Sequence, residues 1–290
     1  MKKVELDYRV LEKSELLEFL FKNVSNKSKN NIKSLLKNGN VLVNNNVITK
    51  HNYMLNKNDL VIVKLSQVSK YDDFNKIDIL YEDNNLLAIN KPSGLLTIST
   101  EKEKNRTLYH YVSSYVKERN KSNKIFIVNR LDKDTSGIVL FTKDENTKKL
   151  LQNNWDDLVS IRKYIAIVHG ITDESGVIKS YLNENSEYMV YSTSDKKGKL
   201  AITEYKKIKS NNKYSMLEIN LKTGRKNQIR VHMKDINHPV LGDSKYGTRD
   251  KGKRLFLHST CLEFKNPINE KVIKIISRLP KEFEIELRRK

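Results

Sequence analysis

Cysteine and long apolar runs are scarce in this sequence of 290 residues. The single cysteine, Cys261, excludes a disulfide-bonded scaffold and is typical of a protein from a reducing compartment. The longest apolar runs, such as residues 138–141, are far shorter than the roughly 20 residues that cross a bilayer. Glu5, Asp7 and Arg9 interrupt any signal-peptide core. We therefore expect a cytoplasmic protein without a membrane span.

The excess of basic over acidic residues leaves the chain strongly positive. It has 55 Lys and Arg against 35 Asp and Glu, so its formal net charge is +20. A charge of this size favours a polyanionic partner, of which nucleic acid is the commonest. The alternative is a solvated lysine-rich surface, because abundant Lys, Asn and Ile are also typical of an AT-rich coding bias. Hydrophobic residues make up 38% of the chain, which is sufficient for a core and excludes general disorder.

Residues 1–65 have the pattern of a small unit of their own. Ser14 stands where it can cap a first helix, and Ser28 stands where it can cap a second. Gly39 follows the second helix at the position where a left-handed C-cap is favoured. Short strands are predicted at residues 41–43, 47–48 and 60–65.

This first segment resembles the S4 domain, a small RNA-binding module, on residues 36–44 and 58–63. The resemblance implies that the second helix contacts RNA. Its basic residues are four apart and therefore lie along one side of the helix; they are Lys29, Lys33 and Lys37. The alternative is that these three lysines form only the solvated side of the helix.

The rest of the chain alternates short β-rich runs with loops and a few helices. This mixture predicts an α+β domain over residues 77–290 with a large, largely antiparallel sheet. Residues 66–76 lack periodicity and indicate a linker. The clearest strand runs are residues 79–81, 86–89, 138–141, 164–168 and 216–221.

Several kinds of chemistry have no motif in this sequence. There is no glycine-rich phosphate loop, no dinucleotide fingerprint and no serine in a nucleophile elbow. The six histidines and one cysteine show no metal-ligand spacing. An enzyme built on this chain is therefore expected to use acid–base or carboxylate chemistry without a metal or cofactor.

One polar segment between two apolar runs concentrates reactive side chains. Arg130 and Asp132 lie there, and nothing in a turn requires them. Asp134, Ser136 and Gly137 are explained by ordinary β-turn chemistry, with local backbone bonds and a turn glycine. A turn at the rim of a sheet can hold a carboxylate rigidly over a cleft.

Residues 130–137, with the sequence RLDKDTSG, resemble the signature of the RluA family of pseudouridine synthases. Other blocks similar to that family follow the family's order, at residues 81–96, 163–170, 223–232, 238–247 and 257–259. Ordered blocks over roughly residues 77–268 make coincidence very improbable. An S4 domain joined to this catalytic domain is also a common architecture of the family.

The resemblance implies a metal-free isomerase that converts uridines of rRNA or tRNA to pseudouridine. The N-glycosidic bond is broken, the base rotates, and C5 is joined to C1′. By motif position, Asp132 is the catalytic aspartate, Tyr164 the pocket tyrosine and Arg230 the arginine paired with the aspartate. Arg130 matches the arginine that holds the target nucleotide out of its stack, and Arg225 falls in an RNA-contacting block. We expect a monomer, because nothing in the sequence indicates a partner face.

These residue types suit the reaction. An adjacent arginine favours the ionised carboxylate, and a tyrosine offers a flat face to uracil and a hydroxyl that can exchange a proton. The alternatives are a structural salt bridge or phosphate contact for Arg230 and a core position for Tyr164. The chain departs from the family at Asn129 and Asn227, where histidine is common. Asparagine keeps a donor and an acceptor but cannot titrate near neutral pH.

Two other functions remain open at this point. One is a non-catalytic S4-type RNA-binding or assembly factor whose catalytic domain has lost activity. The other is a glycosidase-like hydrolase, which needs two facing carboxylates about 5–10 Å apart. The only near neighbour of Asp132 is Asp134, which turn chemistry explains better. The sequence also leaves open which RNA is modified and whether Asp132 acts as nucleophile or base.

Overall fold

The protein divides into two compact units, Met1–Asn75 and Lys76–Lys290. The structure, a computed structural model, describes residues 5–24, 28–37, 39–64, 77–101, 103–247, 250 and 253–288. The predicted linker, residues 66–76, lies outside these residues. No helix in the described part of the chain is long and apolar enough to span a membrane. Each unit has its own hydrophobic core and is described by itself.

The first unit packs two helices against a four-stranded antiparallel sheet with the order β1-β6-β3-β4. Its elements are β1 (Glu5–Arg9), β2 (Ser14–Glu15), α1 (Leu16–Asn23), α2 (Lys29–Lys37), β3 (Val41–Val43), β4 (Asn46–Val47), β5 (Met54–Leu55) and β6 (Leu60–Lys64). The cap of α2 is confirmed, because Ser28 Oγ accepts a hydrogen bond from the amide of Asn31 at 3.3 Å. Gly39 has a φ of +72° and provides the left-handed residue predicted after this helix.

The cap predicted at Ser14 is wrong. Ser14 lies in the short strand β2, and α1 begins after Glu15 without a side-chain cap. The amides at the start of α1 donate to backbone carbonyls of a distant loop instead. Leu16 donates to Tyr53 at 2.8 Å, and the amide of the next residue donates to the same loop. The demand that a capping side chain would have met is therefore satisfied by tertiary structure.

The second unit is built on one sheet, which has eleven strands in the described residues. Nine of them follow the order β13-β12-β14-β15-β11-β16-β10-β8-β7, and seven of the eight neighbouring pairs in this order are antiparallel. Its strands are β7 (Ile79–Glu82), β8 (Leu86–Lys91), β9 (Phe126–Ile127), β10 (Ser136–Thr142), β11 (Val159–His169), β12 (Ser175–Glu184), β13 (Val190–Thr193), β14 (Lys199–Ser210), β15 (Tyr214–Leu221), β16 (Leu257–Lys265) and β17 (Val272–Ile276). Its helices are α3 (Leu108–Arg119), α4 (Glu145–Asn153), α5 (Trp155–Leu158), α6 (Gln228–Asp235) and α7 (Lys281–Arg288). Strands β10 and β16 pair in parallel. The predicted α+β class with a large, mostly antiparallel mixed sheet is confirmed.

Strand β10 is buried along its whole length. The polar segment with Arg130 and Asp132 leads directly into it. The turn predicted for Ser136 and Gly137 is wrong, because both residues already pair with β16 opposite His258 and Ser259. Gly137 has a φ of +112°, and a Cβ there would lie 2.2 Å from the carbonyl oxygen of Ser259. The glycine is therefore required by the close approach of two strands rather than by a turn.

Candidate active site

Asp132 lies in the loop between β9 and β10 and faces the start of α6. Its Oδ2 accepts a hydrogen bond from Arg230 Nη1 at 3.2 Å and another from Asn227 Nδ2 at 2.5 Å. The Asp132 side chain is 32% exposed, whereas that of Arg230 is 8% exposed. A ligand can therefore reach the carboxylate while the arginine that holds it stays buried.

Arg230 is itself fixed by Asp243. The Nε and Nη2 of Arg230 donate to the two carboxylate oxygens of Asp243, each at 2.7 Å. Burial opposes ionisation of both groups, but their mutual hydrogen bonds and charges raise the pKa of Arg230 and lower the pKa of Asp243. The guanidinium carbon also lies 5.1 Å from the ring centre of Tyr246. Arg230 thus forms a structural ion pair with Asp243 and still directs Nη1 at Asp132. The predicted pairing with Asp132 and the alternative of a structural salt bridge therefore do not exclude each other.

Asn227 is the residue whose contact the sequence did not predict. It precedes α6 with a φ of +54° and is 9% exposed. Its Oδ1 accepts a hydrogen bond from the Tyr246 hydroxyl at 3.1 Å, which leaves Nδ2 directed at Asp132. The Tyr246 hydroxyl in turn accepts from the amide of Val190 at 3.0 Å. No local signal could have revealed this contact, because Asn227 stands before α6 in a left-handed conformation and Asp132 lies 95 positions away in the chain.

Tyr164, in β11, lines the same cleft as Asp132. Burial raises the pKa of the Tyr164 hydroxyl above its usual value, and the neighbouring Ser259 and Arg162 oppose this rise. The phenol is therefore neutral near neutral pH. In that form it can donate a proton or hydrogen bond and present an uncharged ring to a base.

The cleft has a volume of about 800 Å³, enough for a nucleotide, and its lining includes Asp132, Tyr164, Asn227, Arg130, Arg162 and Arg225. A smaller cavity of about 70 Å³ adjoins it and is lined by Asp132, Tyr164 and Arg230 together. Asp132 is the only carboxylate among the described residues that line either cavity. The hydrolase alternative therefore lacks its second carboxylate.

Three arginines place positive charge around the cleft. Arg130 and Arg225 are exposed, and Arg225 Nε donates to the carbonyl oxygen of Leu200 at 3.0 Å. Arg162, which the sequence analysis did not single out, is half-buried, and its Nη2 donates to the carbonyl oxygen of Lys222 at 2.6 Å. All three can meet a phosphate or the edge of a base.

The lysines predicted to bind RNA are in the first unit. Lys29, Lys33 and Lys37 are all exposed on α2. The buried residues of the same helix are Ile32 and Leu36, so the lysines occupy its solvent side. That position suits both an RNA face and a merely solvated face.

The loop that carries Asp132 is tied to the chain segment that follows β8. Ser93 Oγ donates to the carbonyl oxygen of Asp134 at 2.6 Å. Thr97 Oγ1 donates to the carbonyl oxygen of Leu131 at 2.6 Å. The blocks that resemble the family's opening block and its signature are thus in direct contact, and the backbone on both sides of Asp132 is anchored.

Lys91, the last residue of β8, is fully buried beneath this loop. Its Nζ donates to the carbonyl oxygens of Pro92, Leu95 and Lys133 at 2.8 to 2.9 Å. Burial lowers the pKa of Lys91 to about 7, although the Asp134 carboxylate opposes this shift. Lys91 therefore acts as an internal clamp on the loop rather than as part of the cleft.

No group of three His, Cys, Asp or Glu side chains that could hold a metal ion is found within the described ranges. Asp132 and Tyr164 line the same cleft, and Arg230 and Asn227 hold the carboxylate of Asp132 there.

Comparison with known proteins identifies the family. The family model described as RNA pseudouridylate synthase matches residues 85–235. Ribosomal large subunit pseudouridine synthase D of Borreliella burgdorferi is 36% identical over 80% of this chain and 75% of its own. Uncharacterized RNA pseudouridine synthase MG209 of Mycoplasma genitalium is 31% identical over 96% of this chain and 94% of its own.

Solved structures of other proteins share this fold. The solved structure of human RNA Pseudouridylate Synthase Domain Containing 4 matches with a TM-score of 0.62 and 23% identity. The match covers 73% of this chain and 92% of the human chain. The family model spans more than half of the chain, and the relatives are similar over most of their length. The chain therefore belongs to the RNA pseudouridylate synthase family, in its RluA branch, and is an RNA-modifying isomerase.

Proposed function

We propose that this enzyme converts uridines of large-subunit ribosomal RNA to pseudouridine, with Asp132 as the catalytic carboxylate. The names of relatives from Borreliella burgdorferi and Rickettsia prowazekii, both called ribosomal large subunit pseudouridine synthases, support this RNA as the substrate. The observation that carries the role of Asp132 is its position. It is the one carboxylate among the described residues of the cleft, and it is reachable from solvent and held by Arg230 and Asn227.

The reaction is an isomerisation that needs an ionised carboxylate. The N1–C1′ bond breaks, the uracil rotates, C5 bonds to C1′, and the proton on C5 is lost while N1 gains one. Whether Asp132 attacks the sugar or abstracts a proton, it must act as a carboxylate, and its ion pair with Arg230 holds that carboxylate in position. We assign the neutral hydroxyl of Tyr164, which lines the same cleft, to exchanging a proton with the base.

The target uridine must leave its stack to reach this cleft. Unstacking costs a few kcal/mol, which contacts to phosphates and neighbouring bases must offset. We assign Arg130 to holding the target nucleotide out of its stack and Arg225 to the RNA backbone, because both are exposed at the cleft. Lys29, Lys33 and Lys37 of the S4-like unit, residues 1–65, supply further phosphate contacts.

We expect the enzyme to be a cytoplasmic monomer that acts on RNA without a metal ion or cofactor. Activity should therefore persist after thorough chelation and without added nucleotide.

The test uses total RNA from a strain that lacks this gene. The RNA is incubated with wild-type protein, Asp132→Asn or Asp134→Asn, and pseudouridines are mapped by carbodiimide modification and primer extension. We expect new stops in large-subunit rRNA with wild-type protein and with Asp134→Asn, which changes a carboxylate outside the cleft lining. Asp132→Asn should give no stop yet bind RNA almost normally, since it keeps the shape and removes the charge.

Other outcomes would change the proposal in defined ways. Turnover by Asp132→Asn would exclude it as the catalytic carboxylate. Stops in tRNA alone would replace the substrate. RNA binding by wild-type protein without any stop would favour a non-catalytic RNA-binding factor.

A further inference from the structure

A third cavity adjoins the active-site cleft. Its volume is about 340 Å³, and it lies between the end of β12, the start of β13 and the loop before β14. It shares Gly224, Arg225 and Lys226 with the lining of the cleft. An RNA strand that enters the cleft can therefore continue over this shared loop into the third cavity.

The charged residues that line this cavity are mainly cationic. It includes Lys197, Lys199, Arg225 and Lys226 against a single carboxylate, Glu184, which forms an ion pair with Lys226. Four positive side chains around one negative one suit a phosphate of a nucleic-acid backbone.

Tyr188 projects from the turn between β12 and β13 beside this cavity. It is 71% exposed and has a φ of +60°, a left-handed conformation that bulky residues rarely adopt. Lys226 Nζ lies 5.4 Å from the centre of its ring. Burial does not account for an aromatic side chain at this position, and glycine or asparagine would suit the backbone better. An exposed aromatic side chain on this backbone, facing a lysine, makes Tyr188 a candidate for contact with a ligand.

The turn that carries Tyr188 is rigidly built. Asn185 Oδ1 accepts hydrogen bonds from the amides of Glu187 and Met189, at 3.0 and 2.9 Å. Lys245 Nζ donates to the carbonyl oxygen of Tyr188 at 2.7 Å. The Tyr188 ring is therefore presented on a fixed support, which lowers the entropic cost of stacking a ligand on it.

Lys245 also connects this turn to the catalytic residues. Its Nζ lies 5.4 Å from the ring centre of Tyr246, whose hydroxyl donates to Asn227. The same ring lies against the guanidinium of Arg230. Tyr188 and Asp132 thus belong to one continuous set of contacts within the second unit.

We propose that Tyr188 and this cavity form a subsite for a single-stranded nucleotide next to the target uridine, with its base stacked on Tyr188 and its phosphate at Lys226 and Lys199. This subsite rests on the proposed function, because it presumes a uridine in the cleft. Stacking requires an unpaired base, so the subsite selects uridines in loops or other single-stranded segments over those in duplexes.

Equilibrium binding of the full-length protein tests the stacking. The probe is a single-stranded RNA of about 12 nucleotides with one central uridine and 2-aminopurine beside it, whose fluorescence is quenched when it stacks. Tyr188→Asn should weaken binding by about tenfold and abolish the quenching, since stacking on an aromatic side chain contributes on this scale. Tyr188→Phe should bind like wild-type protein. Tyr191→Thr is the matched control, because Tyr191 is exposed on the same hairpin but lies in strand β13, outside the turn whose aromatic ring faces Lys226.

Two further measurements separate stacking from a structural role. The melting temperature of Tyr188→Asn should equal or exceed that of wild-type protein, because asparagine tolerates the left-handed backbone. With the mapped RNA substrate, the variant should raise KM about tenfold and leave kcat within about twofold. A lowered melting temperature with an unchanged KM would overturn the proposal, and so would equal weakening for a duplex RNA of the same length.

The outcome also distinguishes this proposal from the proposed function. Absence of pseudouridine after incubation with wild-type protein would overturn the proposed function and the subsite together. Pseudouridine formation by wild-type protein, with Tyr188→Asn unchanged in affinity, quenching and KM, would overturn the subsite alone. Lys226→Gln should make the salt dependence of binding shallower by about one unit of slope, and an unchanged slope would exclude the phosphate contact.

Discussion

Asn227 donates a hydrogen bond to the same oxygen of Asp132 that Arg230 contacts. The Tyr246 hydroxyl donates a hydrogen bond to the amide oxygen of Asn227, so the amide nitrogen is the end that faces the carboxylate. One charged and one neutral donor therefore hold the proposed catalytic group. Neither donor loses its proton near neutral pH, so the support of Asp132 should not vary over that range.

The first prediction concerns Asn227 as a positioning residue. Asn227→Ala removes a hydrogen bond to a charged acceptor, which contributes about 1.5–3 kcal/mol, so kcat should fall about tenfold or more. KM for RNA should change little, because Asp132 and not Asn227 is the group presented to the substrate. Single-turnover kinetics with the mapped substrate RNA measure both quantities.

Asn227→Asp gives the pH signature that a merely structural role would not. Two adjacent carboxylates cannot both ionise easily, so one pKa of the pair is raised. Below that pKa the shared proton restores a donor to Asp132, and activity should rise as the pH falls through it. A loss of activity that is the same at every pH would contradict the positioning role.

Sequence patterns predicted Asp132 and Arg230 as site residues. They could not show which of the two departures from the family, Asn129 or Asn227, contacts Asp132. Asn227 and Asn129 look equivalent in the sequence, since both stand where histidine is common. In the structure Asn129 Oδ1 accepts from the amide of Leu140 at 2.8 Å and ties the loop to β10. Asn227 contacts a side chain 95 positions away. Only the packing of α6 against the loop makes that difference, and local pattern carries no information about it.

The incorrect predictions have the same physical origin. Ser14 has the residue type of a helix cap, yet backbone carbonyls around Tyr53 already accept from the first amides of α1. Gly137 has the residue type of a turn, yet the neighbouring strand residue Ser259 is what requires it. In both cases a distant segment supplies the constraint, and residue type alone cannot reveal it.

The second prediction concerns Lys91 beneath the catalytic loop. Lys91→Met leaves three carbonyl oxygens without their donor and should lower the free energy of unfolding by about 3 kcal/mol. Urea denaturation measures this change. Ser93→Ala, which removes one anchor of the same loop, should have a smaller effect of about 1 kcal/mol. Equal stability of Lys91→Met and wild-type protein would exclude the clamp.

The lowered pKa of Lys91 also predicts that the free energy of unfolding depends on pH in the alkaline range. Its pKa is about 7 in the folded protein against 10.5 for an unperturbed lysine, so the unfolded chain binds more protons between these limits. The free energy of unfolding of wild-type protein should therefore rise with pH over this window relative to that of Lys91→Met. A constant difference between the two proteins from pH 7 to 10 would contradict the lowered pKa.

The third prediction concerns two buried histidines. His232 lies between the hydroxyls of Ser180 and Thr203, and His258 lies between those of Ser136 and Ser277. Burial lowers the pKa of each from 6.5 to about 4. As the pH falls from 6.5 to 4 the unfolded chain takes up protons that the folded protein does not. Stability should fall by on the order of 3 kcal/mol for each histidine.

Urea denaturation between pH 4 and 7 tests these histidines individually. His232→Gln and His258→Gln should each reduce the loss of stability on acidification. His110→Gln changes an exposed histidine and should leave that loss as it is in wild-type protein. An equally steep acid dependence in all three variants would assign the effect to other groups.

The last prediction tests the RNA face proposed for α2. Replacing Lys29, Lys33 and Lys37 together by glutamine in the full chain removes three positive charges from exposed positions. If each contacts a phosphate, the slope of log K against log salt should become shallower by about two to three units. Ile32 and Leu36 keep the core contacts of the helix, so folding should be preserved.

A matched variant removes the same charge elsewhere. Lys104, Lys117 and Lys121 are exposed and lie outside the lining of the active-site cleft. Replacing them by glutamine should change the salt slope by less than one unit. Turnover at saturating RNA should match that of wild-type protein in both triple variants, because no lysine in either set lines the cleft. Equal slopes for the two variants would mean that the α2 lysines act only through net charge.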